Sequence, residues 1–232
     1  MSKLAPTYHS LYGTVTRDAM IGWYGAAYNL LDAVTSLAVA VSAAILPVAI
    51  VYFRESKEKL IRLYSTSVRF LTYLSIPIAV GTSLLADKII ILLYGTDYIN
   101  AELALKILIW TLIPLCINYM MGAIMIAMHQ EKKGMYVLFM NMIVNILLNL
   151  YLIPKYGLYG AAVATVLTEV FYFGGYYHIV SKNLHRLNML QIIIKPVIAS
   201  FIMGLFIYAF INLNIFVLIT SGALVYFTVM FF

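Results

Sequence analysis

Residues 135–180 read MYVLFMNMIVNILLNLYLIPKYGLYGAAVATVLTEVFYFGGYYHIV, two apolar blocks separated by Pro154, Lys155, Tyr156 and Gly157. Each block, 135–153 and 158–180, has the roughly 20 residues that a helix needs to cross a hydrocarbon core about 30 Å thick. Lipid offers no water to bond a free N–H or C=O, so a segment this long and apolar crosses only as a helix. The stretch therefore predicts two membrane helices, the first ending at Pro154 and the second starting after the Lys155–Tyr156–Gly157 turn.

The same reading extends along the chain. Further spans are expected at 21–53, 60–85, 103–128, 190–210 and 215–232, about seven in all. In the first, Asp18 is placed as N-cap and Pro47 as a kink; the second carries Pro77 and Gly81 in its outer half. Lys88 to Tyr94 is too short to span and is placed at the interface, before a loop from Gly95 to Ala101. The fold class is all-α, a polytopic membrane helical bundle.

Composition agrees. Hydrophobic residues make up 64% of the chain and charged residues 10%, with a mean hydropathy of +0.96, too little polar surface to coat a water-soluble ball. The net charge of +6 does not indicate nucleic acid, because the basic residues lie between apolar blocks rather than in a stripe with aromatics. They are read as orientation signals and contacts for anionic lipid headgroups. Cys116 has no partner in the chain, so no disulfide framework is available. Met1 to Thr16 lacks the apolar core of a cleaved signal peptide.

Basic loops stay in the cytoplasm. Arg54, Lys57, Lys59, Arg62, Lys132, Lys133, Lys182 and Arg186 fall in one set of alternating loops and outnumber Lys3, Arg17, Lys88 and Lys155 in the other. This places the N-terminus outside and the C-terminus inside. Both ends hint at a piece of something larger, with 1–18 as an extracytoplasmic remnant and 19–232 as one transmembrane domain.

Charged groups inside spans cost about 2.5–3.5 kcal/mol each on insertion scales, so each calls for a reason. Arg69 is the foremost candidate, with a guanidinium suited to a phosphate or carboxylate headgroup in a water-filled cavity. The plainer alternative is that it snorkels or pairs with a carboxylate between helices. Asp32 and Glu169 are read as counter-charges or proton carriers; Lys106 and Lys195, near span ends, are read as snorkelling. Asn141, Asn145 and Asn149 recur on one helical face, where they either hydrogen-bond a neighbouring helix or line a polar lumen. Gly157, Gly160, Ala161, Ala162 and Ala164 allow close helix approach, and Tyr176, Tyr177 and His178 suit an interfacial belt. His9, His129, His178 and His185 form no metal-ligand spacing, and no H-E-x-x-H, G-x-S-x-G or P-loop occurs. No cofactor, metal or enzymatic activity is expected.

Four stretches carry a family resemblance: IGWYGAAY at 21–28, Ile45 to Pro47 with the basic loop after it, LYGTDY at 93–98 with Ala101 and Leu105, and NILLNLYLIPKYGLYGAAVAT at 145–165. In this order and spacing the chain resembles the polysaccharide-transporter and O-antigen flippase branch of the multidrug/oligosaccharidyl-lipid/polysaccharide exporter superfamily. Its most specific element is a P-x-x-G-x-x-G-A-A turn between paired helices. The resemblance implies a fourteen-helix exporter of two six-helix lobes with two extra helices. This chain would supply helices eight to fourteen, and an N-terminal lobe would be its missing partner. It also implies that a lipid-linked glycan is moved by alternating access around a cationic cavity. A cation-coupled drug exporter of the same superfamily, a non-transporting fragment and an intramembrane glycosyltransferase are the alternatives.

Overall fold

The computed structural model describes residues 17–231, and the expected N-terminal remnant, apart from Arg17 and Asp18, lies outside the described residues. Every regular element within them is helical: α1 (Arg17–Glu55), α2 (Lys57–Leu84), α3 (Ala86–Tyr94), α4 (Ala101–Leu108), α5 (Leu112–Ala127), α6 (Glu131–Asn183), α7 (Met189–Ala209) and α8 (Ile215–Phe231), with 3₁₀ turns at Thr96–Tyr98 and Ile109–Thr111. Five of the elements so formed, with α4 and α5 joined into one, are long and apolar enough to cross a membrane, and α8 is a shorter apolar helix.

α1 has 39 residues and continues past Pro47 to Glu55. At 1.5 Å per residue that is about 58 Å, well beyond the hydrocarbon core. Asp18 lies inside the first turn rather than capping it. The first turn is still a favourable place for a carboxylate, beside the unpaired N–H groups. Ser56 separates α1 from α2 and caps the latter by accepting from the Lys59 backbone N–H at 3.4 Å.

α2 buries Leu60, Tyr64, Val68, Leu71, Ser75 and Ala79, the 3–4 spacing of one helical face. The expected span 103–128 is α4 and α5 with a 3₁₀ turn between them. Pro114 accounts for the irregularity, because it has no N–H and its ring crowds the carbonyl four residues back, at Trp110.

α5 ends in a left-handed cap. The Gln130 N–H bonds the Met125 carbonyl at 2.8 Å and the His129 N–H bonds the Ile126 carbonyl at 3.0 Å, while His129 has φ 55°. Glycine usually fills this position because it has no Cβ to clash. His129→Gly is therefore expected to stabilise the protein by about 0.5–1 kcal/mol, read as a higher unfolding temperature in detergent micelles.

α6, 53 residues long, is two antiparallel arms rather than one rod, with the break at Gly157, φ 58° and ψ −133°. As the chain rises on one arm its contacts fall on the other. A Cβ on Gly175 would come within 2.5 Å of Val137 Cγ1, Asn145 Nδ2 donates to Thr168 Oγ1 at 3.2 Å, and a Cβ on Gly160 would strike the Leu152 carbonyl. Pro154 does not end the first arm as expected; helix continues through it and the reversal falls at Gly157, where positive φ suits only a residue without Cβ.

A central apolar cluster joins α1, α2, α5 and the second arm of α6, including Leu31, Leu60, Leu71, Met120 and Leu184. A second surrounds Trp23, Ala86, Ile90, Leu105 and Leu158. A third holds α7 and α8 against α2 through Leu85, Met203, Ile207, Leu218 and Tyr226. The outer surface is as apolar as these cores: Phe201, Leu190 and Leu147 are at least 60% exposed. That distribution suits lipid as solvent.

The loops gather at two ends. Phe53 meets His129, and Leu184 and Leu187 join Leu60 and Met128, so the strongly basic loops share one end. At the opposite end the Trp23 indole N–H donates to the Asp97 carbonyl at 3.1 Å. There the Lys88 ammonium also donates to the carbonyls of Ile211 and Leu213, tying α3 to the α7–α8 loop.

Candidate functional site

The residues singled out from the sequence fall into three places. Arg69 lies on the exposed side of α2, opposite the buried face. There it lines an open groove of about 450 Å³ with Glu58, Ile61, Arg62, Ser65 and Thr66. Their spacing stacks them on successive turns. From Glu58 to Arg69 the groove climbs about 16 Å, from the basic end to mid-helix. Neither Arg62 nor Arg69 has an ion-pair partner among the described residues, where the ion pairs are Lys59–Glu55 and Lys106–Glu102. Arg69 thus makes no helix-to-helix ion pair among the described residues, and Lys106 reaches back one turn to Glu102.

Two guanidiniums two turns apart outweigh the one carboxylate of the groove, Glu58, and make its upper part anion-seeking, since each offers a planar fork of donors and stays charged. The Thr66 hydroxyl adds a neutral donor between them, whereas the Ser65 hydroxyl already donates to the Ile61 carbonyl at 2.8 Å. A phosphate or diphosphate group matches this set. Arg62 belongs to the groove but reads in sequence as a loop charge; the signal was its spacing of seven residues from Arg69.

Glu169 lies on the seam of α5 and the second arm of α6, and Asp32 stands on the exposed side of α1. Tyr28 of α1 and Tyr119 of α5 stand between them, within electrostatic range of both. Asn118, buried in α5, donates from Nδ2 to Glu169 Oε2 at 2.9 Å. The Tyr24 and Thr165 hydroxyls are 3.3 Å apart nearby. Asn118, Tyr28 and Tyr119 were not legible as members, because nothing in their spacing shows that three separate helices converge there.

The asparagines make a third set, inside the α6 hairpin. Asn145 bonds Thr168, Asn149 Nδ2 donates to the Asn145 carbonyl and Oδ1, both at 2.9 Å, and Asn141 is buried. Asn145 serves the seam between the arms, Asn149 bonds back to it within its own arm, and the structure does not bring the stripe to the arginine groove. Among the described residues no group of His, Cys, Asp and Glu could hold a metal ion.

These features, a cationic groove on one helix and a half-buried carboxyl group on another seam, belong to a helical membrane bundle. The sequence matches the family described as "Lipid II flippase MurJ" over residues 25–229, and the chain belongs to that family, a family of lipid flippases. The fold is similar to a solved lipid II flippase MurJ in an inward closed conformation, with a TM-score of 0.76 at 18% identity, covering 90% of this chain and 46% of that one. Among curated proteins, the probable low-salt glycan biosynthesis flippase Agl15 of Haloferax volcanii is 24% identical over 160 residues, 68% of this chain and 34% of the relative. The chain thus spans about a third to a half of the length of these relatives.

Proposed function

We propose that the chain is the C-terminal lobe, with two extra helices, of a flippase that moves a lipid-linked oligosaccharide or polysaccharide precursor across the cytoplasmic membrane in cell-surface polysaccharide biosynthesis. The observation that carries this reading is the pair Arg62 and Arg69, free of ion pairs among the described residues, in an open groove on a membrane helix. Lipid-linked glycans carry phosphate between sugar and tail, and the groove offers the charge and donors to take it. The family match supports a lipid substrate over a drug. A separate N-terminal lobe would supply the other wall of the cavity, and rocking of the lobes would expose it to each side in turn.

The test uses the purified chain in detergent, with long-chain polyprenyl diphosphate as probe and the matching polyprenol as control, read by native mass spectrometry. Retention of the diphosphate alone, and its loss in Arg69→Ala, supports the reading. Equal retention of the polyprenol means that the chain reads only the tail, and the groove is then not the headgroup site.

The basic end would face the cytoplasm, leaving the N-terminus outside and the C-terminus inside. In a Cys116→Ala background, a cysteine at Lys155 should react with a membrane-impermeant maleimide added to intact cells, and a cysteine at Lys133 only after lysis. The reverse pattern would invert the orientation.

A further inference from the structure

Glu169 has a single side-chain partner, the Asn118 amide. The titratable groups around it are Tyr28 from α1, Tyr119 from α5 and Tyr172 from its own arm, with Cys116 beside Tyr119 and Asp32 on the exposed side of α1. None of them is basic. Asn118 is 4% exposed, and its Oδ1 is buried without a donor. An amide placed so can serve both forms of the acid. As found, its NH₂ donates to the carboxylate; turned over, its free oxygen accepts from the carboxylic O–H.

Two tyrosine hydroxyls stand between this carboxyl group and the basic end; no direct hydrogen bond joins Glu169 to the first of them among the described residues, so transfer to it needs a side-chain rotation or a bridging water. Tyr172 is one turn further along the same arm, where side chains three apart are neighbours. Its O–H donates to the Tyr176 hydroxyl at 2.6 Å, with ring centroids 4.3 Å apart. The Tyr176 hydroxyl in turn reaches the first turn of α6: a Cβ on Gly134 would lie 3.3 Å from it. The missing side chain leaves room for that hydroxyl near the basic end. From Glu169 to Tyr176 the row covers about 10 Å of helix.

We propose that Glu169 binds and releases a proton, and that Tyr172 and Tyr176 are positioning residues that carry it to the basic end. In release, the carboxylic proton passes to the Tyr172 oxygen, Tyr172 gives its own proton to Tyr176, and Tyr176 gives its own to water. Each hydroxyl gains one proton and loses one, so the carboxyl group loses one and water gains one. Uptake is the reverse: water gives a proton to Tyr176, Tyr176 gives its own to Tyr172 and Tyr172 gives its own to the carboxylate, and rotation of both hydroxyls is needed only before a second release. This stands apart from the glycan reading: it needs no lipid substrate, and its failure would leave the arginine groove untouched.

The test is infrared difference spectroscopy of the purified full chain between alkaline and acidic buffer, followed by exchange into heavy water. A protonated-carboxyl band should appear on acidification, vanish in Glu169→Gln and persist in Asp32→Asn. In Tyr172→Phe and Tyr176→Phe the band should remain, but its deuteration should slow by about a hundredfold, the low end of what a positioned proton-transfer group contributes. Tyr226→Phe, which removes a tyrosine bonded to the Tyr73 carbonyl away from the row, should deuterate at the parent rate. A band that survives in Glu169→Gln overturns the proton site. Parent-rate deuteration in both Tyr172→Phe and Tyr176→Phe overturns the path.

Discussion

Gly160→Leu is expected to destabilise the protein by about 3 kcal/mol or more, at or above the range for ordinary overpacking, because the obstacle is backbone. A Cβ at this position would strike the Leu152 carbonyl across the hairpin, so any side chain must push the two arms apart. The loss would spread, since the arms are also joined by the Asn145–Thr168 bond and by Val137 against Gly175. Gly174→Ala is the matched control. Nothing lies within 4 Å of a Cβ there, and alanine favours helix over glycine by up to about 1 kcal/mol. Thermal unfolding in detergent should therefore fall steeply for the first variant and hold or rise for the second. Similar unfolding temperatures would mean that the arms are not held in this register.

The second large effect is on export. In the complete parent flippase, Arg69→Ala should lower glycan export by about thirtyfold or more while protein level and membrane insertion stay intact. Removing one partner of a desolvated, hydrogen-bonded charge pair costs about 2–5 kcal/mol. Arg69→Lys should recover part of the loss, since it restores the charge but not the forked donor geometry. Surface-glycan staining with membrane-fraction immunoblotting reads both quantities. Normal export in Arg69→Ala would remove this residue from the site.

The helices were legible because hydrocarbon imposes a length and a composition that few other contexts demand. Apolar blocks of about 20 residues could be placed without knowing which faces pack. Their fine structure was less visible. Pro154 is tolerated within a membrane helix, so the reversal falls at Gly157, and the 3₁₀ turn at Ile109–Thr111 leaves no mark in hydropathy. The type of Asp18 suits a cap, yet a carboxylate is equally at home inside the first turn, where it lies.

The candidate site was half legible for a related reason. The cost of a charge within a span drew attention to Arg69, Asp32 and Glu169 one at a time. Which of them share a surface depends on helix rotation and neighbours, which spacing within a single helix does not specify. Thus Arg62 escaped the groove because it lies near a helix start, and Asn118 escaped the carboxylate seam because a single asparagine in an apolar block costs little. The asparagine stripe illustrates the converse. Its regular spacing suggested a lumen or a seam equally, and the cross-arm bond to Thr168 ties Asn145 to the seam.

The most direct measurement of the central claim is translocation by the purified complete flippase in sealed vesicles. A polyprenyl-diphosphate oligosaccharide is placed in both leaflets and an impermeant glycosidase is added outside. If the arginine groove is one wall of a glycan-lipid pathway, the inner-leaflet half becomes digestible in the presence of the protein and stays protected with Arg69→Ala. Protection of the inner half equal to that in protein-free vesicles would contradict it.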